Sequence, residues 1–335
     1  MDQNTESQQT ISPDDALPSV EPPSAGFILQ LFVVPAVIVA IIVAVWLMFT
    51  WLAHMGDNPS TYINALRRDN EARWQAAVNL ANALRQPNSK FKNNTEIADE
   101  LAQLLQDELE ASRQSKSQAD VRVRVYICRA LGEFNIPNGL PALLEAAKTQ
   151  TSEADVPVRA SAIEGIALLA SGPAGEAVRA NLKVASTLVE CSTAEDPAVR
   201  TRAAFALGVI GGAEAQERLA TLLKDPIADV RYNAATGLAR LGDARAVDVL
   251  AEMLDPTRVR VIERKEDELA QEFKRFTIPQ NALRAVEKLI DANPSVDVSA
   301  LQTAMQPLTQ SENTQLSHYA AQVAARLADR QPAQP

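Results

Sequence analysis

Residues 196–211 read Asp-Pro-Ala-Val-Arg-Thr-Arg-Ala-Ala-Phe-Ala-Leu-Gly-Val-Ile-Gly, and this stretch decides the fold. Val199, Ala203, Ala206, Leu207 and Ile210 fall at i, i+4, i+7, i+8 and i+11, the spacing of one face of an α-helix. Asp196 is placed to cap the helix N-terminus, and Pro197 suits the first helical position. Gly211-Gly212 predicts the stop, and Leu219, Leu222 and Leu223 form a second apolar stripe, so the unit is a pair of antiparallel helices.

The phrase returns. Val230-Arg231, Ala234, Gly237-Leu238 and Gly242 repeat Val199-Arg200, Ala203, Ala206-Leu207 and Gly211 with a shift of 31 residues (231 − 200 and 242 − 211). Its Asp-Pro start is displaced to Asp225-Pro226, with Asp229 as a second candidate for the acid. Asp155-Val156-Pro157-Val158-Arg159 precedes Ala162 and Gly165, and Asp120-Val121-Arg122-Val123-Arg124 precedes Ile127 and Ala130. A weaker copy is Asp69-Asn70-Glu71-Ala72-Arg73. Internal repetition at this period marks a stacked helical array, in which each unit buries its apolar face only against its neighbours. The residue six after the Arg is small in four copies (Ala130, Gly165, Ala206, Gly237), which lets adjacent helices approach closely, whereas the weakest copy has Asn79 there.

The pattern Asp-Pro-x-Val-Arg-x-x-Ala-x-x-Ala-Leu-x-x-x-Gly at 196–211, with its echo at 225–242, resembles the HEAT repeat in its short prokaryotic, phycobilisome-lyase-like form. The resemblance is strong over 118–255 and weaker over 60–85 and 277–330. It implies an all-α fold, an α-solenoid of helical hairpins. It also implies that Asp155, Arg159, Asp196, Arg200, Asp225 and Arg231 form a structural polar ladder between units. The function implied is a scaffold or adaptor whose concave surface, lined by second helices such as 213–223 and 244–254, binds a protein partner. Two other readings remain open, a bilin-lyase-like enzyme and a structural subunit of a larger membrane complex.

A second signal lies near the N-terminus. Leu31 to Leu52 reads LFVVPAVIVAIIVAVWLMFTWL without a charge, and a bilayer-spanning helix needs about 20 such residues. Trp46, Phe49 and Trp51 crowd one end, as in an aromatic belt, and Pro35 is expected in the first turn of this run, where a proline is tolerated. The preceding residues 1–25 hold Asp2, Glu6, Asp14, Asp15 and Glu21 and no Lys or Arg. That excludes the basic start of a cleaved signal peptide and predicts a disordered acidic tail followed by an uncleaved anchor. Arg67, Arg68 and Arg73 follow the span. The positive-inside rule then puts the N-terminus outside and the repeat domain in the cytoplasm. Ala36, Ala40 and Ala44, spaced by four, offer a close helix–helix face for homo-association in lipid.

These boundaries give a tail over 1–25, a transmembrane helix over 27–52, a linker over 53–60, a repeat domain over 61–330 and a short tail over 331–335. Insertions are expected at about 86–115 and 258–276. The first carries a loop over 86–94 and a helix over 95–115 with Ile97, Leu101, Leu104, Leu105 and Leu109 on one face. The second places Ile262, Leu269, Phe273 and Phe276 at helical spacing for packing on the array. Alternatively it is an arm that meets a partner or an anionic membrane surface through Arg258, Arg260, Arg264, Lys265, Lys274 and Arg275.

The composition narrows the chemistry. With 42 Asp and Glu against 32 Lys and Arg the formal net charge is −10, which speaks against nucleic acid as the partner. His54 and His318 have no partner at metal-ligand spacing, and no His-Glu dipeptide, phosphate-binding glycine loop or Cys-x-x-Cys pair occurs. No catalytic residue, cofactor or metal site is therefore expected. Cys128 and Cys191 are isolated on apolar stretches, as buried thiols in a reducing compartment would be.

Overall fold

A computed structural model of the chain describes residues 22, 24–55, 59–68, 73–112, 118–150, 152–257 and 268–329. Among the described residues every regular element is helical. Two compact units are formed, Met1–Asn58 and Pro59–Pro335.

The first unit holds α1 (Ala25–Met55). Ser24 Oγ accepts a hydrogen bond from Phe27 N at 3.2 Å and so satisfies one of the orphan donors at its start. Over Ala25–Thr50 the mean hydropathy is 3.0 and none of the helix is buried. Because α1 begins at Ala25, Pro35 lies well inside it and not in its first turn. A proline there removes one backbone hydrogen bond.

The second unit is a two-layer stack. Its helices are α2 (Pro59–Leu66), α3 (Arg73–Arg85), α4 (Thr95–Ser112), α5 (Gln118–Gly132), α6 (Leu140–Lys148) and α7 (Val156–Ser171). They are followed by α8 (Gly175–Ala180), α9 (Leu182–Cys191), α10 (Pro197–Ile210), α11 (Ala213–Leu222) and α12 (Ala228–Arg240). The last are α13 (Val247–Leu254), α14 (Glu268–Ala292), α15 (Ser299–Thr309) and α16 (Thr314–Ala328). The first layer runs α3, α5, α7, α10, α12, α14, each helix packed on the next. In the second layer α4 packs on α6, α6 on α9 and α9 on α11, while α13 packs on α15.

The unit at 196–223 forms as its residues dictate. Asp196 Oδ1 accepts from Ala198 N at 2.8 Å, and Pro197 opens α10. Val199, Ala203, Ala206, Leu207 and Ile210 are buried, and the chain leaves the helix through Gly211 (φ +68°) and Gly212 (φ +88°). A side chain would be strained at both of these φ values. Leu219 and Leu222 of α11 close the core beneath.

The first layer is drawn together by paired glycines. A Cβ on Gly132 of α5 would lie 2.7 Å from Gly165 Cα of α7, and one on Gly208 of α10 would lie 2.5 Å from Gly237 Cα of α12. In both pairs the residue eight after one unit's Arg meets the residue six after the next unit's Arg. Backbone rests on backbone at these crossings, which a larger residue would force apart.

Of the two segments expected to be insertions, the helical parts among the described residues, 95–112 and 268–276, belong to the stack, and 113–115 and 258–267 lie outside the described residues. α4 takes the second-layer place beside α5 and α6, with Ile97, Leu101, Leu104, Leu105 and Leu109 buried. Residues 268–276 are the opening turns of α14, which continues in one piece to Ala292 and packs on α12. The interval between Arg159 and Arg200 is lengthened by α8, tied back by Arg179 Nη1 donating to Ala170 O at 2.7 Å. The tails 1–21 and 330–335, and the capping residues 69–72 of the weakest copy, lie outside the described residues.

Candidate functional site

The six residues assigned to the polar ladder make different contacts. Arg200 grips Asp225 with two hydrogen bonds, Nε to Oδ2 at 2.9 Å and Nη2 to Oδ1 at 3.2 Å. Its Nη1 also donates to the carbonyls of Ala194 and Glu195 at 2.9 and 2.7 Å. Burial pushes the Asp225 carboxyl up, but the hydrogen bonds from Arg200 and from Ile227 N more than offset that and leave it below its ordinary value. Asp155 pairs with Arg124 of the preceding unit at 3.1 Å, with both side chains buried, and Asp155 Oδ2 accepts from Ser152 N at 2.9 Å.

The remaining ladder residues do not join in Asp–Arg pairs with one another in the described contacts. Arg159 Nε donates to Ala147 O at 3.1 Å, Asp196 caps its own helix, and Arg231 Nη2 donates to Glu252 at 2.7 Å. The displaced acid of the 225–242 copy is settled by the geometry. Asp225 meets Arg200, whereas Asp229 pairs with Lys274 at 3.2 Å. Arg124, the Arg of the copy beginning at Asp120, is a cross-unit partner that the sequence reading left out.

One groove of the array is lined mainly by first-layer helices, and of the second helices α13 reaches it through Met253. That groove lies on the first layer, over α12, walled by α10 and α14, with a volume of about 660 Å³. Tyr232, Asn233 and Thr236 of α12 form its floor, with Met253 of α13 below. Tyr232 Oη donates to Glu252 at 3.1 Å, and burial together with Glu252 pushes its phenol above its ordinary value. One wall carries Arg202 and Phe205, the other Phe273, Lys274, Thr277, Asn281, Arg284 and Lys288.

The groove is basic within an acidic chain. Arg202, Arg240, Lys274, Arg284 and Lys288 line it against a single carboxylate, Asp229. Lys274 is engaged with Asp229, Arg240 Nη1 donates to Gly208 O at 2.9 Å, and Arg202 stands 3.8 Å from exposed Glu164. Among the described residues Arg284 and Lys288 have no ion-pair partner. Phe273 is 69% exposed and Phe205 37%. Of the expected apolar stripe of 258–276, Phe276 rests on the core and Phe273 faces the groove, while Ile262 and the Leu269 side chain lie outside what is described. Of the basic residues singled out in that segment, Lys274 lines the groove and Arg275 is exposed outside it. Arg258, Arg260, Arg264 and Lys265 lie outside the described residues.

Each lining stripe was visible in the sequence as a spacing. Asp229, Asn233, Thr236 and Arg240 follow helical intervals on α12, as do Thr277, Asn281, Arg284 and Lys288 on α14. Nothing in the spacing alone says that these stripes share one groove. Cys128 and Cys191 are free and buried, and burial pushes the Cys128 thiol up to about 12. No group of three or more His, Cys, Asp or Glu side chains among the described residues is arranged to hold a metal ion. Ala36, Ala40 and Ala44 are exposed on α1.

Residues 184–265 match the family model described as HEAT repeats, a stretch that takes in most of α9 and all of α10 to α13. This part of the array is thus similar to HEAT repeats. No curated protein matches the chain. Among solved structures, an engineered protein is 19% identical with a TM-score of 0.41, over 70% of this chain and 97% of that one. A second engineered protein is also 19% identical, with a TM-score of 0.38 over 81% and 98% of the two chains. Human deoxyhypusine hydroxylase in complex with glycerol is 19% identical with a TM-score of 0.30, over 82% and 96%.

Proposed function

We propose that this chain is a membrane-anchored adaptor, in which α1 spans a bilayer and the HEAT-repeat unit binds a protein partner at the cytoplasmic face. The observation that carries the reading is α1 itself. Ala25–Thr50 is a 26-residue helix of mean hydropathy 3.0 with none of it buried. Leaving so much apolar surface in water is strongly unfavourable, and about 20 residues suffice to cross the hydrocarbon. The residues before it carry no Lys or Arg, and Arg67, Arg68 and Arg73 follow it, which supports a cytoplasmic repeat unit.

In this reading the Arg and Asp residues at the unit boundaries serve the stack. Arg200–Asp225 and Arg124–Asp155 each link one unit to the next, so they hold the binding surface and do not themselves meet the partner. The array is suited to binding because stacked units present an extended face held rigid by its own core.

The test is alkaline carbonate extraction of membranes from cells expressing the full chain, followed by protease protection in sealed vesicles. The chain should remain in the pellet, with the repeat unit digested only from the cytoplasmic side. Release into the supernatant would remove the anchor from the proposal, and protection of the repeat unit would reverse its orientation.

A further inference from the structure

We propose that the groove over α12 receives an acidic segment of the partner protein, one that sets an apolar side chain between its carboxylates. The inference rests on the adaptor reading and adds the chemistry of what is bound.

Three features converge on that occupant. The first is charge. A chain of net charge −10 gathers five cations and one carboxylate along a single groove. Arg284 and Lys288 stand one helical turn apart on α14, and like charges at that spacing repel. A visiting carboxylate would relieve the repulsion and gain a charge-assisted hydrogen bond. The second is apolar surface. Phe205 and Phe273 face the groove from opposite walls, and Phe273 is 69% exposed. Exposed aromatic surface ringed by polar groups is the usual form of a binding surface. The third is width. Packed helices lie about 8–10 Å apart, so the axes of α10 and α14, on either side of α12, stand roughly 16–20 Å apart. That spacing seats one chain segment, whether extended or helical.

Other anions fit less well. A nucleic acid strand carries charge at regular, short intervals along its length, and the mainly acidic remainder of this chain repels a polyanion wherever it leaves the groove. A bilayer surface is broad and flat, whereas these cations line a two-walled groove. The acidic residues 1–21 of the chain itself stand across the bilayer in the proposed topology.

The test uses the full chain in uncharged detergent micelles and fluorescence anisotropy of labelled dodecapeptides. A peptide of Glu and Leu should bind saturably. A peptide of Glu and Ser should bind at least fivefold more weakly, because it lacks the apolar anchor, and a peptide of Lys and Leu should not bind. Affinity should fall several-fold between about 0.05 and 0.5 M salt as screening shortens. The double variant Arg284→Glu/Lys288→Glu should weaken the Glu/Leu peptide at least tenfold. Phe273→Ser should remove its advantage over Glu/Ser, and Lys183→Glu on α9 should change nothing. All four substituted side chains are exposed, so circular dichroism should match that of the unaltered chain.

Absence of saturable binding, or binding indifferent to the double reversal in a folded variant, would overturn the proposal. So would equal competition by a dodecameric single-stranded oligonucleotide, by phosphatidylserine vesicles, or by a peptide of residues 8–22. The two readings fail separately. A chain released by carbonate that still binds the Glu/Leu peptide loses its anchor and keeps its groove. A membrane-integral chain whose native crosslinked partner survives the double reversal keeps its adaptor role and loses the groove.

Discussion

Replacing Gly208 by alanine tests the glycine crossing between α10 and α12 by the sign of its effect. In an ordinary helix interior, alanine in place of glycine favours folding by about 1 kcal/mol. Here the added Cβ would lie 2.5 Å from Gly237 Cα and 3.3 Å from Arg240 Nη1. Non-bonded carbons rest at about 3.5–4.0 Å, so the two backbones must part by about 1 Å or more. Gly237 has no side-chain atoms to swing aside, and inserting a methyl into a filled interior costs about 1–3 kcal/mol. The net expectation is destabilisation by up to about 2 kcal/mol, which is a gain of about 1 kcal/mol set against that strain. Gly237→Ala should cost less. Its nearest neighbours are Gly208 Cα at 3.0 Å and Leu219 Cδ1 at 3.1 Å, and the latter is the tip of a rotatable side chain. Native-state hydrogen exchange is the appropriate assay, because a repeat array opens unit by unit and a global midpoint averages over units. Amides of α10 and α12 should exchange up to about tenfold to thirtyfold faster in Gly208→Ala, at roughly tenfold per 1.4 kcal/mol. Slower exchange in those two helices would refute the reasoning, since it would mean that only the helix preference had been felt.

Other substitutions probe other layers of the argument. Arg124→Ala takes the paired guanidinium from the buried Asp155 carboxylate, which keeps its hydrogen bond from Ser152 N; removing one partner of a buried pair costs up to about 3–5 kcal/mol, readable as a lower urea midpoint. Asp243 is held down to about 2, first by its hydrogen bonds from Arg245, then by Arg245 N and Gln216. A lowered carboxyl stabilises the fold above its unfolded value near 4 and loses that contribution as pH falls toward 2. Because Arg245 is partly exposed, the loss should be about 1 kcal/mol, and Asp243→Asn should remove this part of the acid sensitivity in urea titrations at pH 5 and 2.5. The Cys128 thiol, buried and pushed up to about 12, should resist a thiol reagent at pH 8 in the folded chain and react once urea unfolds it. Leu207→Ala, at a fully buried core position, should cost about 2–5 kcal/mol in the same urea assay.

What the amino-acid order revealed and what it concealed divide along a physical line. The register of α10 follows from contacts a few residues apart: an aspartate that caps, a proline at the first turn, apolar side chains at helical spacing and a double glycine at the end. Local interactions of this kind leave a local trace. The role of Arg124, by contrast, depends on Asp155 arriving beside it from the next unit, and that is a matter of stacking. The place of the helix expected over 95–115 is hidden in the sequence for a similar reason. The interval between repeated arginines is long there, which suggested an insertion, yet α4 fills the ordinary second-layer place and the extra length is taken up in the connections. The groove is the most distant case. Its lining comes from three first-layer helices and Met253 of α13, and its basic character is hidden in a composition that is acidic as a whole.

The closing helix has a consequence for assembly. Inside the array every helical face that leaves one unit is covered by the next, so the last unit would present an uncovered copy of a surface that elsewhere binds its own kind. Head-to-tail contacts of that sort do not close and lead to open filaments. α16 turns Leu316, Val323 and Leu327 inward and shows Gln315, His318, Gln322, Arg326 and Asp329 outward. Arg326 is pinned to Glu287 and Asp291 of α14 at 2.8 Å each. A polar face on α16, fixed by its own ion pairs, is a poor surface for a second molecule to stack upon.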